Sequence, residues 1–224
     1  MKSSILFLLF LLVFSLDALA FVLNPGEKIH YNVIQLGLKA GEATLSYLGH
    51  KKYQGKDTVF IDFQSQGLNF SDHEKIYLDP KRLKPLFVER QLNIFGQRED
   101  ILEQYTLGHI KITKTSSGKT TQQVIDKAGW MDNIYAFIYR YRQSGKFQIN
   151  EQFDIHLPTK DVKIILVKQD SMTIAKEKHQ VFYMQSKPAK YKIWFDASEK
   201  KIPLRISGAI GLANTSMVMT SYEK

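Results

Sequence analysis

Helical periodicity is confined to one short stretch of this sequence, residues 130–145. Apolar residues recur there at spacings of three and four, which places their side chains on one face of an α-helix. These residues are Ile134, Phe137, Ile138 and Tyr141. We expect Asp132 to cap the amino end, because its carboxylate can accept from free backbone N–H groups of the first turn, and Gly145 to end the helix. The sequence thus predicts one short central helix over about residues 132–143.

Outside this helical stretch, and from about residue 27 onward, the chain alternates apolar with polar residues. This is the period-two pattern of half-buried β-strands. Ile29, Tyr31 and Val33 are the first examples. Turns containing glycine or proline interrupt the pattern at short intervals, which is typical of antiparallel hairpins and not of βαβ units. The predicted fold class is therefore mainly β: a curved antiparallel meander sheet or a partly closed barrel, with one short central helix.

The amino terminus has the form of a secretory signal peptide. Lys2 precedes an apolar run over residues 5–16, and Ala18-Leu19-Ala20 has the small-x-small pattern of a cleavage site. We expect residues 1–20 to be a signal peptide and residues 21–224 to form a single β-rich exported domain, with the periplasm as its location. An uncleaved anchor is the alternative, although the run is short for a bilayer span.

The cysteine content and the net charge of the chain bear on how the fold is held together and on which partners it can bind. The 224-residue chain has no cysteine and a formal net charge of +9. Without disulfides, packing alone must hold an exported fold together. The positive charge favours a lipid, glycolipid or other anionic envelope component as partner, but the lysines are scattered along the sequence, so ordinary surface charge is the simpler interpretation. Nucleic acid is not an expected partner in that compartment.

Common catalytic and metal-binding signatures are missing from the sequence. It has no GxSxG elbow and no cysteine nucleophile, and none of its six histidines are spaced as a metal pair. We therefore predict no catalytic residue, no metal and no cofactor. The densest titratable cluster is Asp72-His73-Glu74, where a strand would turn Asp72 and Glu74 to one face and His73 to the other. Glu27 and Glu42, each after a glycine, are further carboxylates suited to acid–base chemistry.

A speculative ligand site is predicted from the helix and one late strand. Tyr135, Tyr139 and Arg142 fall outside the apolar face of the helix, and Arg140 lies in its last turn. We expect these four residues to line the mouth of a cavity inside the curved sheet, or else to join the helix to the rim of the sheet. Trp194 is a candidate for stacking against a ligand, with core packing as the simpler alternative.

Three ordered sequence blocks carry a family resemblance. The first is residues 26–31 with 36–43, the second residues 132–140, and the third residues 193–196 with 201–206. Together they resemble an exported bacterial family catalogued as domain of unknown function 3108, over nearly all of the predicted mature chain. The resemblance implies an exported, β-rich cell-envelope protein. It implies no activity, since the family has no agreed catalytic or ligand-binding residues.

Three functions stay open at this point. The leading hypothesis is a non-enzymatic periplasmic or cell-envelope protein that binds a lipid, glycolipid or envelope polymer in a cavity or groove of the curved sheet. The second is a structural or interaction protein of the envelope that uses a strand edge or its basic surface. The third is a glycan-acting enzyme with a carboxylate pair drawn from Glu27, Glu42, Asp72 and Glu74, since glycosidases place two carboxyl groups roughly 5–10 Å apart.

Overall fold

A computed structural model describes residues 23–210 and 214–224, so the predicted signal peptide over residues 1–20 lies outside the described part. Within that part, the chain forms one antiparallel sheet of fourteen strands and one α-helix. The strands are β1 Glu27–Gln35, β2 Leu38–Tyr53, β3 Lys56–Gly67, β4 Phe70–Leu78, β5 Pro85–Ile94, β6 Gln97–Thr106, β7 His109–Ser116, β8 Lys119–Asp126, β9 Gln152–Leu157, β10 Lys160–Ile174, β11 Glu177–Lys187, β12 Lys192–Asp196, β13 Pro203–Ser207 and β14 Thr215–Glu223. The helix α1 spans Ile134–Ser144, between β8 and β9.

The sheet is a meander whose two edge strands directly precede and directly follow the helix in the sequence. Every strand pairs with its neighbour along the chain from β1 to β8 and from β9 to β14, and β1 pairs with β14, so β8 and β9 are the outer strands. The chain passes from one edge to the other through α1. The predicted fold class is confirmed, in the form of an antiparallel sheet that is not closed into a barrel.

The helix is buried on nearly all sides by the inner face of the sheet. Tyr135 stacks on Phe63 of β3, with ring centroids 4.3 Å apart, and Tyr141 lies 5.6 Å from Phe195 of β12. Tyr139 is fully buried as well. A helix on a flat sheet keeps one face in water, whereas this one is packed from opposite directions. The expectation of a single apolar face was therefore too narrow.

The helix begins one residue later than the predicted cap. Asn133 is the N-cap, and its Oδ1 accepts from the backbone N–H groups of Tyr135 at 2.9 Å and Ala136 at 3.4 Å. Asp132 was the wrong residue for this role, because its carboxylate accepts from the side chains of Lys84 and Arg140 and from the Asn133 N–H, and not from the N–H groups of the first turn. Gly145 is confirmed at the carboxyl end, where its N–H donates to the carbonyl of Tyr141 at 2.7 Å.

Seven connections lie at one end of the sheet, because alternate antiparallel connections share an end, and the loop between β13 and β14 is described at residues 208–210 and 214. We call this set the upper rim. The amino end of α1 lies between its β9–β10 turn and the opposite end of β4 and β5, since the Asp132 N–H donates to the His156 carbonyl at 2.7 Å and the Asp132 carboxylate accepts from Lys84 at 2.6 Å. The upper rim comprises residues 36–37, 68–69, 95–96, 117–118, 158–159 and 188–191, with the described residues 208–210 and 214.

Candidate ligand-binding cleft

A cleft of about 210 Å³ lies between the amino end of α1 and the inner face of β4, β5 and β6. The turn between β9 and β10 and the loop between β11 and β12 form its mouth, where Thr159 and Lys190 are exposed. The cleft therefore lies between the β9–β12 part of the upper rim and the opposite end of β6, where Tyr105 is. Its lining residues are Glu74, Val88, Arg90, Glu103, Tyr105, Asp132, Asn133, Ile134, Leu157, Pro158, Thr159, Lys190, Tyr191 and Ala209.

Arg90 organises the acidic wall of the cleft. Its Nε and Nη2 donate to the two carboxylate oxygens of Asp72 at 2.7 and 2.5 Å, and its Nε lies 3.4 Å from Glu74 Oε1. Asn133 Nδ2 donates to the other Glu74 oxygen at 3.2 Å. The residue that caps the helix thus also fixes the carboxylate that faces the cleft.

The predicted division of the Asp72-His73-Glu74 cluster is found in the structure. Asp72 and Glu74 are buried on the inner face, whereas His73 bonds to Asp62 on the other face, with 2.7 Å between Nε2 and Oδ1. Glu42 stays exposed and pairs with Lys39 at 2.6 Å. Of the four carboxylates proposed for an enzyme, only Asp72 and Glu74 share one cluster.

Burial changes the protonation of two carboxyl groups in the cleft. It raises the pKa of Glu74 to about 7, with Asp72 and Glu103 adding repulsion and Arg90 opposing the shift. Burial also raises the pKa of Glu103, against a hydrogen bond from Tyr105 and the charge of Arg90. Near pH 7, Glu74 can therefore either donate or accept a proton, which a fully ionised carboxylate cannot do.

The mouth of the cleft is basic. Burial lowers the pKa of Lys190 to about 8, and the neighbouring Lys160 and Arg90 add to the shift because like charges disfavour a further cation. Tyr191 and Leu157 supply apolar surface beside these groups. The cleft thus has carboxyl groups inside, ammonium groups at its mouth and apolar walls between them.

A larger groove of about 350 Å³ crosses β4 to β7 and is lined by residues such as His73, Lys75 and Thr113. It shares Arg90 with the cleft but lacks Glu74 and Glu103. Perturbed carboxyl groups gathered in a concave site are a mark of function. For that reason the smaller cleft is the candidate site.

Arg140 lies behind the cleft and not at an open mouth. Its Nη2 donates to Asp132 Oδ2 at 2.5 Å, and its Nη1 donates to the Leu83 carbonyl at 3.2 Å. Lys84 Nζ donates to the same Asp132 oxygen at 2.6 Å. Since the Asp132 side chain is fully buried, these two cations neutralise it and attach the first turn of α1 to the loop between β4 and β5.

The prediction that Arg142, Tyr135 and Tyr139 line the mouth of a cavity is also wrong. All three are buried, and none lines the cleft. Arg142 pairs with Glu27 of β1, and its Nη2 also donates to the Lys200 carbonyl at 3.1 Å. The structure places these side chains where they join the helix to the sheet, the alternative that the sequence left open.

Trp194 lies on the outer face of the sheet. Its ring is 4.9 Å from that of Tyr183, and the Arg205 guanidinium lies 5.1 Å from it. Its neighbours Ile193 and Phe195 point inward and are fully buried. Trp194 is therefore not a wall of the cleft; it is partly buried, with Tyr183 and Arg205 beside it, and it packs against the hydrophobic core.

Sequence reasoning missed Arg90, Glu103 and Lys190. A signal for the first two was present, because each occupies an inward strand position two residues from an apolar inward residue. Arg90 follows Val88 by two residues, and Glu103 precedes the buried Tyr105 by two. A charged residue in the apolar register of a strand needs a buried partner. Lys190 stands in a loop and carried no such signal.

Two further facts concern the described residues alone. Among residues 23–210 and 214–224, no three histidine or acidic side chains form a group that could hold a metal ion. In that same part of the chain, no helix has the length and apolar character needed to cross a membrane.

Comparison with known proteins supports the fold but no activity. Neither the protein-family models nor the curated proteins gave a match. Among solved structures, the chain is similar to a crystal structure of a beta-barrel-like protein of the domain of unknown function DUF1849 from Brucella abortus. The TM-score is 0.51 at 9% identity, over 89% of this chain and 97% of that one. At that identity the similarity applies to the architecture only.

Proposed function

We propose that this chain is a non-enzymatic cell-envelope protein that binds the polar headgroup of a glycolipid, or a saccharide unit of an envelope polymer, in the cleft. The export that this requires is itself a proposal, based on the signal-peptide pattern over residues 1–20. The resemblance to the exported family of unknown function 3108 supports the same location and is likewise part of the proposal.

The observation that carries the proposal is the mixture of groups around the cleft. Glu74 and Glu103 offer carboxyl oxygens, Arg90 and Lys190 offer N–H donors, and Tyr191 offers an aromatic wall. A saccharide presents hydroxyl groups that both donate and accept, together with apolar ring faces. Ligand sites typically combine apolar walls with a few convergent polar groups, as this cleft does.

The size of the cleft limits what part of a ligand enters it. Its volume of about 210 Å³ is below the roughly 300–1,000 Å³ of sites that enclose a drug-sized ligand. The inner face beyond it is occupied by the aromatic side chains of α1, such as Tyr135 and Tyr141. A headgroup or a single sugar unit fits this space, whereas acyl chains would have to remain outside.

Native mass spectrometry tests the proposal. Residues 21–224 would be purified from an exporting host without detergent, and bound molecules released by organic solvent would be analysed. Thr159→Trp places a bulky ring at the exposed mouth, so we expect the extra mass to be lost in that variant. Thr121→Trp, on the exposed edge strand β8, is the matched control and should keep it. An extra mass that persists in Thr159→Trp would show that the ligand lies elsewhere.

A second candidate function is favoured by the pKa of Glu74. A carboxyl group that titrates near 7, beside a second buried carboxyl group, is suited to general acid–base catalysis on a glycan. This enzyme would cleave a saccharide that enters the cleft, and Glu103→Gln would abolish the release of new reducing ends. Retention of an intact ligand by the wild-type protein favours the binding function over this one.

A further inference from the structure

Large apolar side chains stand exposed at the tips of three successive hairpins. Leu36 and Leu38 of the β1–β2 hairpin have 82% and 75% of their surface exposed, Leu68 of the β3–β4 hairpin 95%, and Phe95 of the β5–β6 hairpin 76%. None of these four contributes to the core. We call this set the apolar tips.

The strand register brings the apolar tips to one side of the upper rim. Gly41 of β2 pairs with Gly67 of β3, so the β1–β2 hairpin projects about three residues, roughly 10 Å, beyond its neighbour. The next two tips are hydrogen bonded directly, because the Phe95 N–H donates to the Asn69 carbonyl at 2.8 Å. The tips therefore form a stepped row on a hydrogen-bonded framework.

The backbone at two of the tips is unfavourable for the residues found there. Leu36 and Phe95 have φ of 50° and 52°, and each precedes a glycine that also has positive φ. Tight hairpin turns of this kind favour asparagine or aspartate at the first position, since bulky residues are rarely left-handed. Turn formation and core packing both fail to explain leucine and phenylalanine here, which leaves a contact made by their exposed side chains.

The charge around the apolar tips has one sign. Lys39 and Arg98 flank the turns of the β1–β2 and β5–β6 hairpins, and residues 36–39, 68–69 and 95–98 contain no aspartate or glutamate. Lys39 pairs with Glu42 of β2 at 2.6 Å. Lys119, the first residue of β8, adds a cation beside the turn of the neighbouring β7–β8 hairpin. The opposite end of the sheet is mixed, with Asp79 and Glu199 in its turns. A row of apolar side chains flanked by basic residues matches a surface that is apolar inside and anionic outside.

We propose that the apolar tips are a membrane-docking site that inserts into the interface of a bilayer carrying anionic lipid headgroups. The three hairpins carry the side chains into the headgroup layer, and Lys39, Arg98 and Lys119 contact the phosphates. This inference uses a different surface from the cleft and stands without the proposed function.

Vesicle flotation of residues 21–224 tests the docking site. Wild type is expected to bind vesicles of phosphatidylglycerol and phosphatidylethanolamine, and to bind phosphatidylcholine vesicles much more weakly. Leu36→Asn and Phe95→Asn should each weaken binding about tenfold or more, because burial of one such side chain is worth at least a decade in affinity. Both variants should fold at least as stably as wild type, since asparagine suits these turns.

Leu107→Asn is the matched control, because Leu107 is 60% exposed and precedes a glycine in a turn at the opposite end. It should bind vesicles like wild type. Equal vesicle binding by wild type and the folded Leu36→Asn/Phe95→Asn double variant would overturn the inference. So would an absence of wild-type binding to the anionic vesicles, or crosslinking from position 36 that captures a protein and no lipid. Ligand retention in the cleft is measured without vesicles, so the two proposals fail separately.

Discussion

Arg142 of α1 and Glu27 of β1 form an ion pair in which neither side chain has any exposed surface. Arg142 Nη2 donates to Glu27 Oε2 at 2.9 Å, and Nη1 donates to Oε1. Tyr222 of β14 donates to the same carboxylate at 3.1 Å. Three elements from distant parts of the chain therefore meet at one buried carboxylate, which sets the position of the helix within the sheet.

Removal of Arg142 should destabilise the protein strongly. Arg142→Met leaves the Glu27 carboxylate buried without its cation, and breaking a buried pair in this way costs about 3–5 kcal/mol. Urea unfolding would measure the loss. The double variant Arg142→Met/Glu27→Leu should recover much of it, because no charge is then left buried. Arg98→Met, at an exposed position, is the control. A loss below about 1 kcal/mol in the single variant would contradict this role for the pair.

The raised pKa of Glu74 makes stability depend on pH in a defined window. The folded protein holds the proton up to a pKa of about 7, whereas the ordinary value is 4.5. Between these values the folded state binds more protons than the unfolded state, so stability falls as pH rises. The loss should approach about 3 kcal/mol, since one pKa unit corresponds to about 1.4 kcal/mol.

Glu74→Gln supplies the reference for that measurement, because its side chain stays neutral throughout. Urea unfolding of wild type and variant at several pH values should give curves that separate between pH 4.5 and about 7. Below pH 4.5 and above pH 7 the difference should be constant. Parallel curves across the whole window would mean that Glu74 titrates normally in the folded protein.

The cap formed by Asn133 should contribute measurably to the free energy of unfolding. Asn133→Ala removes the oxygen that accepts from the Tyr135 and Ala136 N–H groups, and loss of a cap costs about 1 kcal/mol. Asn133→Ser keeps a capping oxygen and should retain most of the free energy of unfolding. Thermal unfolding of the two variants checks this, and an equal loss in both would point to the hydrogen bond with Glu74 as the larger contribution.

Gly41 should tolerate no side chain. A Cβ built there would lie 2.1 Å from the Gln66 carbonyl oxygen, so the two strands would have to separate. We expect Gly41→Ala to cost about 1–3 kcal/mol, as overpacking does. Gly55→Ala meets no atom within 4 Å, but its φ of 76° is left-handed, so that variant should lose about 1–2 kcal/mol from backbone strain alone. Chemical denaturation would measure both, and a Gly41→Ala variant as stable as wild type would show that the strands adjust freely.

The strands could be predicted from the sequence because successive residues of a strand point to opposite faces of the sheet. Ile29, Tyr31 and Val33 alternate with polar residues, and all three are buried. The partner of a strand is not encoded in that alternation. Lys28 pairs with Glu223, which is almost the full length of the chain away in sequence. No local sequence pattern predicts this contact. The fold class therefore followed from the sequence, whereas the β1–β14 pairing did not.

The candidate site was only partly predictable for a related reason. Asp72 and Glu74 were identified as sharing a face, which requires only the period of a strand. Arg90, their partner, lies on the next strand, so the cluster depends on register. Tyr135 and Arg142 were placed near water because a helix was assumed to keep one polar face, and the surrounding sheet removes that face. The periodicity of a helix does not show which distant strands will cover its polar face.

Binding in the cleft is tested most directly by methyl NMR on ligand-free protein. A solvent extract of the exporting host's envelope would be added to residues 21–224 labelled at valine, leucine and isoleucine methyl groups. Val88, Ile134 and Leu157 line the cleft, so their resonances should shift, while that of the exposed Val124 on β8 stays in place. Unchanged resonances at all three cleft residues, or shifts confined to leucines of the apolar tips, would contradict a headgroup site in the cleft.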